Sequence, residues 1–163
     1  MDTDLIALSQ AVGAACLPRR LLVATAESCT GGWVAQVITH TAGCTAWFER
    51  GFITYSNDAK AELLAVHPDT LKKYGAVSPE TAGEMAEGAL KNSKAMISLS
   101  ITGIAGPTGG SRGKPVGTVC FGWCRAGETA ETETMVFTGD REAVRRQSVV
   151  HALRGLLRRL DTA

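Results

Sequence analysis

One serine in this chain stands where a hydroxyl could be turned into a nucleophile. Ser28 lies in Glu27-Ser28-Cys29-Thr30-Gly31-Gly32, between a short apolar run, Leu21 to Ala26, and apolar positions at Trp33, Val34, Val37 and Ile38 that recur at helical spacing. The run reads as a buried strand and the spaced positions as a helix, so Ser28 sits in a strand-to-helix turn. The first N–H groups of a helix have no partners inside it, and its dipole favours negative charge nearby. Two adjacent glycines would let a ligand approach the backbone. Thr30, Gly31 and Gly32 are therefore candidate donors to a substrate oxyanion or phosphate. The competing reading is structural: Ser28 or Thr30 is simply the helix cap.

A base for that serine is available in Lys60, with Tyr55 five residues before it. Tyr55 ends a strand expected over residues 46–55. Ser56-Asn57-Asp58 then caps a helix that begins near Asp58 and places Ala61, Leu64 and Ala65 on one face. Lys60 falls in the first turn, where the helix dipole disfavours a positive charge and side chains lean back toward the N-terminus. A lysine kept neutral part of the time can accept a serine proton. A solvated surface lysine is the alternative.

A third group follows the apolar run Met96 to Thr102. The loop after it holds Thr102, Gly103, Gly106, Gly109, Gly110 and Gly113. Ligands of open α/β sheets bind beyond the carboxyl ends of strands, so Ser28 and Thr102 could share one cleft. The loop is not a P-loop, because Lys114 is followed by Pro115 and Thr108 replaces the first glycine. A plain flexible connection remains the other reading. Arg141 and Arg145 in turn share a helix face four residues apart and could clamp a phosphate, or form a solvated charged face. His40, His67 and His151 lie far apart with no second ligand at metal spacing, so no metal or other cofactor is expected. Gly-x-Ser-x-Gly is absent, which removes a lipase-type triad.

The elements that must carry these residues alternate. A helix is expected over residues 4–17, ended by Pro18. Ser78-Pro79-Glu80 starts another that runs to about Asn92. Val116 to Cys124 and Thr132 to Thr138 read as an antiparallel hairpin turning near Gly127. Asp140 caps a last helix with Val149, Leu153, Leu156 and Leu160 on its apolar face. This order predicts an α/β fold, a three-layer α/β/α sandwich with a mixed sheet, as a single domain over residues 1–163.

Composition narrows the function class. A net charge of +1 leaves no basic field to hold nucleic acid. No apolar run reaches the ~20 residues that span a bilayer, and the acidic start Met1-Asp2-Thr3-Asp4 is unlike a signal peptide. The five cysteines are odd in number and lack Cys-x-x-Cys spacing, which points to reduced thiols and a cytoplasmic setting. Neither nucleic acid nor membrane is expected as a partner; a homo-oligomer, a dimer first, is the expected assembly.

Taken together the motifs resemble the CinA C-terminal domain family. Ala26-Glu27-Ser28-Cys29-Thr30-Gly31-Gly32 is similar to its hallmark. Gly51-Phe52-Ile53-Thr54-Tyr55-Ser56-Asn57 with Lys60, Gly75-Ala76-Val77-Ser78, Thr102-Gly103-Ile104-Ala105-Gly106-Pro107, Lys114-Pro115-Val116-Gly117-Thr118-Val119 and Gly139-Asp140-Arg141 follow in family order. The resemblance implies a bacterial, cytoplasmic nicotinamide-nucleotide amidohydrolase of pyridine nucleotide salvage. It would convert nicotinamide mononucleotide to nicotinate mononucleotide and ammonia. It implies a serine nucleophile with lysine and tyrosine partners, which map to Ser28, Lys60 and Tyr55. Many relatives carry a further, metal-dependent pyrophosphatase domain ahead of this one; since Met1 opens directly into the first helix, that domain and its metal are expected to be missing. A nucleotide-binding regulatory module without turnover is the alternative function.

Overall fold

The computed structural model describes residues 2–161, so Met1 and the last two residues of the expected 1–163 domain lie outside it. The elements are α1 (Thr3–Cys16), β1 (Val23–Glu27), α2 (Trp33–Thr39), β2 (Phe48–Ile53), α3 (Asn57–Leu64), α4 (Pro68–Tyr74), α5 (Pro79–Lys91), β3 (Ile97–Gly103), β4 (Thr118–Arg125), β5 (Glu131–Val136) and α6 (Arg141–Asp161). The sheet order is β2-β1-β3-β4-β5. β1 pairs in parallel with both β2 and β3, while β4 and β5 join antiparallel. The mixed sheet and the hairpin follow the sequence reading.

Alternation along the strands sorts the two faces. Ile97, Leu99 and Ile101 of β3 and Val119, Phe121 and Trp123 of β4 pack with α1, α2 and α6 through Leu5, Val12, Val34, Val37, Leu153 and Leu156. On the other face Ala24 and Ala26 of β1 meet Leu64 of α3 and Met85 and Ala89 of α5. These are the three layers. The α5 layer lies unusually close to the sheet. Ser98 Oγ donates to the Ala86 carbonyl at 2.7 Å and Ser100 Oγ to Ala82 at 2.6 Å, so two strand hydroxyls are satisfied by bonding to helix carbonyls. Gly88 of α5 lets α3 sit against it: a Cβ there would lie 1.9 Å from the Leu64 carbonyl oxygen.

Local signals mostly set the boundaries. Asp2 accepts from the Asp4 and Leu5 amides at the start of α1; Ser56, Ser78 and Asp140 cap α3, α5 and α6. Two expectations need correction. The strand before Tyr55 is shorter than residues 46–55, because a 3₁₀ turn occupies Cys44–Ala46. Ala65 is not on the buried face of α3 but exposed past its end, at φ +56. There its N–H bonds the Ala61 carbonyl, as in an αL cap, and the Val66 N–H bonds the Lys60 carbonyl. The buried face of α3 is instead Lys60 and Leu64. Helix α4 was not anticipated, although Pro68 at its start and Lys72 and Lys73 in its last turn are start and stop signals.

The parallel half of the sheet brings the candidate residues to one edge. β1, β2 and β3 all end at one edge, with Glu27 level with Ile53 and Ile101. Pairing runs one residue further, through Thr54 N–H to the Glu27 carbonyl (2.8 Å) and Ser28 N–H to Ile101 (3.0 Å). The hairpin between β4 and β5 turns at the opposite edge, since Arg125 pairs with Ile97 at the start of β3.

Candidate active site

Three chain segments leave that edge together, and Ser28, Tyr55, Lys60, Thr102 and Gly103 meet there. They line a cleft of about 230 Å³ with Cys29, Ala76, Val77, Ala105 and Arg141. Lys60 is 1% exposed. Its Nζ lies 2.9 Å from Ser28 Oγ, 2.8 Å from the Thr54 carbonyl and 3.1 Å from the Tyr55 carbonyl. Among the described residues no carboxylate bonds the ammonium form. Burial lowers the lysine from about 10.5 to about 8, because desolvation disfavours the charged state. The two carbonyls can only accept. A neutral amine gives them its two N–H bonds and turns its lone pair to the serine, which is the geometry of a base.

Tyr55 enters through its backbone. Its carbonyl accepts from Lys60, with a longer 3.5 Å contact from Ser28 Oγ, while the residue is 66% exposed at the rim. Cys29, beside the serine, is buried and its thiol is pushed up to about 12, chiefly by desolvation. It stays protonated, which leaves the Ser28 hydroxyl as the candidate nucleophile at this turn.

The turn itself differs from expectation. The α2 N–H groups are not open to a ligand. Glu27, 1% exposed, accepts from Val34 N–H at 3.0 Å, Ala35 N–H at 3.1 Å and Thr30 Oγ1 at 2.6 Å. The carboxylate caps the helix from inside, and the Thr30 side chain is spent on it. Gly31 and Gly32, at φ +59 and +100, carry the left-handed backbone of the turn. A Cβ on Gly32 would strike Ile53 Cδ1 at 2.9 Å. The Gly31 N–H bonds the Ser28 carbonyl; a trans peptide points its N–H opposite to its C=O, so the Cys29 amide faces away from that bond.

The loop after β3 is held as well. Thr102 Oγ1 donates to the Ala76 carbonyl at 2.8 Å. Gly103 admits the close backbone of Thr118 and Val119, and Gly106, at φ +82, packs on Val116 outside the cleft. Arg141 and Arg145 part company. Arg141 is exposed, lines the cleft and gives Nη1 to the Gly106 carbonyl at 2.7 Å. Arg145 does not line it; its Nε and Nη2 donate to the Cys29 and Thr30 carbonyls at 3.0 and 3.2 Å. Among the described residues no three His, Cys, Asp or Glu side chains converge as metal ligands.

A second hollow, about 430 Å³, adjoins the cleft through the shared Ala105 and Arg141. A concavity of about 690 Å³ between α1, β5 and α6 holds neither the serine nor the lysine. The small cleft holds the Ser28–Lys60 pair.

A serine bonded to a buried amine, at the carboxyl edge of a parallel strand set, defines an α/β protein with a candidate nucleophile–base pair. The model of the CinA C-terminal domain matches residues 5–160, and the chain belongs to that family. It is 55% identical over 155 residues to nicotinamide-nucleotide amidohydrolase PncC of Escherichia coli, covering 95% of this chain and 94% of that one. The competence/damage inducible protein CihA structure from Agrobacterium tumefaciens superposes with a TM-score of 0.93 at 42% identity, covering 97% and 96% of the two chains. A CinA superfamily structure from Klebsiella pneumoniae also reaches 0.93, at 40% identity over 98% and 99%. Among the described residues no helix is long and apolar enough to cross a membrane.

Glu27 and Cys29 are the site residues that sequence reasoning left without a role. An acid directly before the serine was visible, but not that it would reach forward seven and eight residues to cap α2.

Proposed function

We propose that this chain is a nicotinamide-nucleotide amidohydrolase that hydrolyses nicotinamide mononucleotide to nicotinate mononucleotide and ammonia through an acyl-enzyme on Ser28. The observation that carries the reading is the 2.9 Å contact between Ser28 Oγ and a buried, carboxylate-free Lys60. The name of the E. coli relative supports the substrate.

Neutral Lys60 takes the Ser28 proton as Oγ bonds the carboxamide carbon, and the carbonyl electron pair moves to oxygen. The Cys29 amide, next after the nucleophile, is the candidate donor to that oxyanion. Collapse reforms the C=O bond and breaks C–N, and the Lys60 ammonium gives its proton to the leaving nitrogen, which departs as ammonia. Lys60, neutral again, takes a proton from water. The hydroxide oxygen bonds the acyl carbon, Ser28 Oγ leaves, and Lys60 returns its proton. The net change is amide plus water to acid plus ammonia.

The cleft is smaller than the ~300 Å³ at which ligand pockets begin. It accepts the carboxamide ring, and the ribose and phosphate extend over Arg141 into the adjoining hollow. The Arg141 guanidinium at that junction is suited to the phosphate and has to outweigh the Asp140 and Glu142 carboxylates that also line the hollow. Five free cysteines suit a reducing cytoplasm, the compartment of this reading.

Ammonia release from nicotinamide mononucleotide, with free nicotinamide as control, tests the proposal. The nucleotide should be hydrolysed, free nicotinamide poorly or not at all, and Ser28→Ala should lose at least ~10³-fold while melting like the parent. A Ser28→Ala protein with near-normal turnover refutes the acyl-enzyme.

A further inference from the structure

The nucleophile turn holds two consecutive glycines in left-handed backbone. Glycine gives up more conformational freedom on ordering than any other residue, so the shape of this turn depends on groups outside it. Glu27 supplies one hold, from inside, on the α2 amides. The other comes from a residue more than a hundred positions away. Arg145, one turn into α6, lays its guanidinium 5.3 Å over the Trp33 ring at the head of α2. In that pose Nε reaches the Cys29 carbonyl and Nη2 the Thr30 carbonyl. Two donors of one rigid plane thus fix two successive peptide units, and the first of them begins at the residue after the nucleophile. A planar guanidinium does this from two nitrogens while lying over the Trp33 ring; an ammonium offers one nitrogen and no plane to stack.

We infer that Arg145 is a positioning residue of the hydrolytic site: its two-pronged bond to the Cys29 and Thr30 carbonyls sets the Ser28 turn, and it takes no part in holding the phosphate. This rests on the proposed amide hydrolysis and goes beyond it. The sequence pairs Arg145 with Arg141 as equal phosphate contacts, and the structure separates them. Arg141 opens on the cleft, and Arg145 has its Nε and Nη2 committed to the turn.

The two roles give opposite kinetics. A phosphate ligand acts on KM for the nucleotide and is spared in the phosphate-free riboside. A positioning residue acts on kcat, and equally on both, because a displaced nucleophile costs about 10- to 100-fold whichever substrate is present. The experiment compares wild type, Arg145→Lys and Arg145→Ala on nicotinamide mononucleotide and nicotinamide riboside. It also measures the rate at which a fluorophosphonate probe labels Ser28, which needs no nicotinamide. Circular dichroism melts show which variants fold. Expected are a kcat loss of at least about tenfold in both variants on both substrates, an unchanged ratio of the two KM values, and equally slowed labelling. Lysine should not rescue, although it keeps the charge.

A rise in nucleotide KM alone, rescue by lysine, or parent-like labelling overturns the inference. So does loss of fold in both variants, which would make Arg145 a stability residue. If wild type releases no ammonia, the substrate reading fails and labelling alone decides: slower labelling of Arg145→Lys upholds the positioning role, equal labelling overturns it. A wild-type Ser28 that takes no probe overturns it as well.

Discussion

Lys60 Nζ lies 2.9 Å from Ser28 Oγ, and its two other partners are carbonyls of the chain that leads into its own helix. The amine is thus held by acceptors without any carboxylate to stabilise its charge. With the lysine lowered to about 8, roughly a tenth is neutral at pH 7. The rate limb set by the base should rise through the neutral range and level off above about 8. Lys60→Arg should be nearly inactive across the same range, because guanidinium does not deprotonate there. A pH–rate profile of both proteins checks this; an arginine variant of comparable rate would mean that only the charge matters.

The same group makes stability pH-dependent. Its folded value, about 8, lies below the ~10.4 of an unfolded lysine. Below about 8 both states hold the proton, and the cost of the buried ammonium is present in full, on the order of 3 kcal/mol. Between the two values the unfolded chain holds more protons, so stability rises with pH; above both the cost is gone. Urea midpoints from pH 7 to 10.5 should show this rise in wild type, with this component missing in Lys60→Met.

Arg141 borders both hollows. Removing a charge-assisted contact costs roughly 1.5–3 kcal/mol. Arg141→Ala should therefore lose about 10- to 100-fold in kcat/KM on the nucleotide, and far less on the riboside. Equal losses on the two substrates would remove the phosphate from this residue.

Glu27 accepts from three donors out of reach of water. In Glu27→Gln one oxygen becomes an NH₂ that faces an α2 amide, leaving a buried donor unmet at about 1–3 kcal/mol. The variant should melt lower and turn over more slowly. Parent-like melting would show that the turn does not need the carboxylate.

Gly88 carries no chemistry, yet Gly88→Ala should impair it. The added Cβ would lie 1.9 Å from the carbonyl of Leu64, and a backbone atom can only give way by moving α3, which bears Lys60. Overpacking of this kind costs about 1–3 kcal/mol. Thermal melting and ammonia release should fall together.

The strand-to-helix turn at Ser28 and the dipole-exposed place of Lys60 were legible because each depends on neighbours in sequence: a glycine pair, a capping serine, a helix start. The three layers were legible for the same reason, from alternation and spacing. Arg145 was not. Its equivalence to Arg141 holds along one helix, and the difference arises because α6 docks its second turn, not its first, on the Ser28 turn. The role of Glu27 was hidden likewise, since caps are sought two or three residues from the amides they satisfy. The bond from Lys60 to the Tyr55 carbonyl was not legible, because a sequence displays side chains and this contact is made by the backbone.

The hairpin between β4 and β5 turns at the sheet edge opposite the cleft, with Gly127 at φ +82 and no atom within 4 Å of where its Cβ would stand. Exposed tips of this kind tolerate inserted peptide. A ligation tag placed at Gly127 would tether the protein to a surface in one orientation, with every molecule presenting its cleft to the liquid. Reagents could then be flowed over a uniform layer, and the yield per attached molecule would report directly on the intrinsic site.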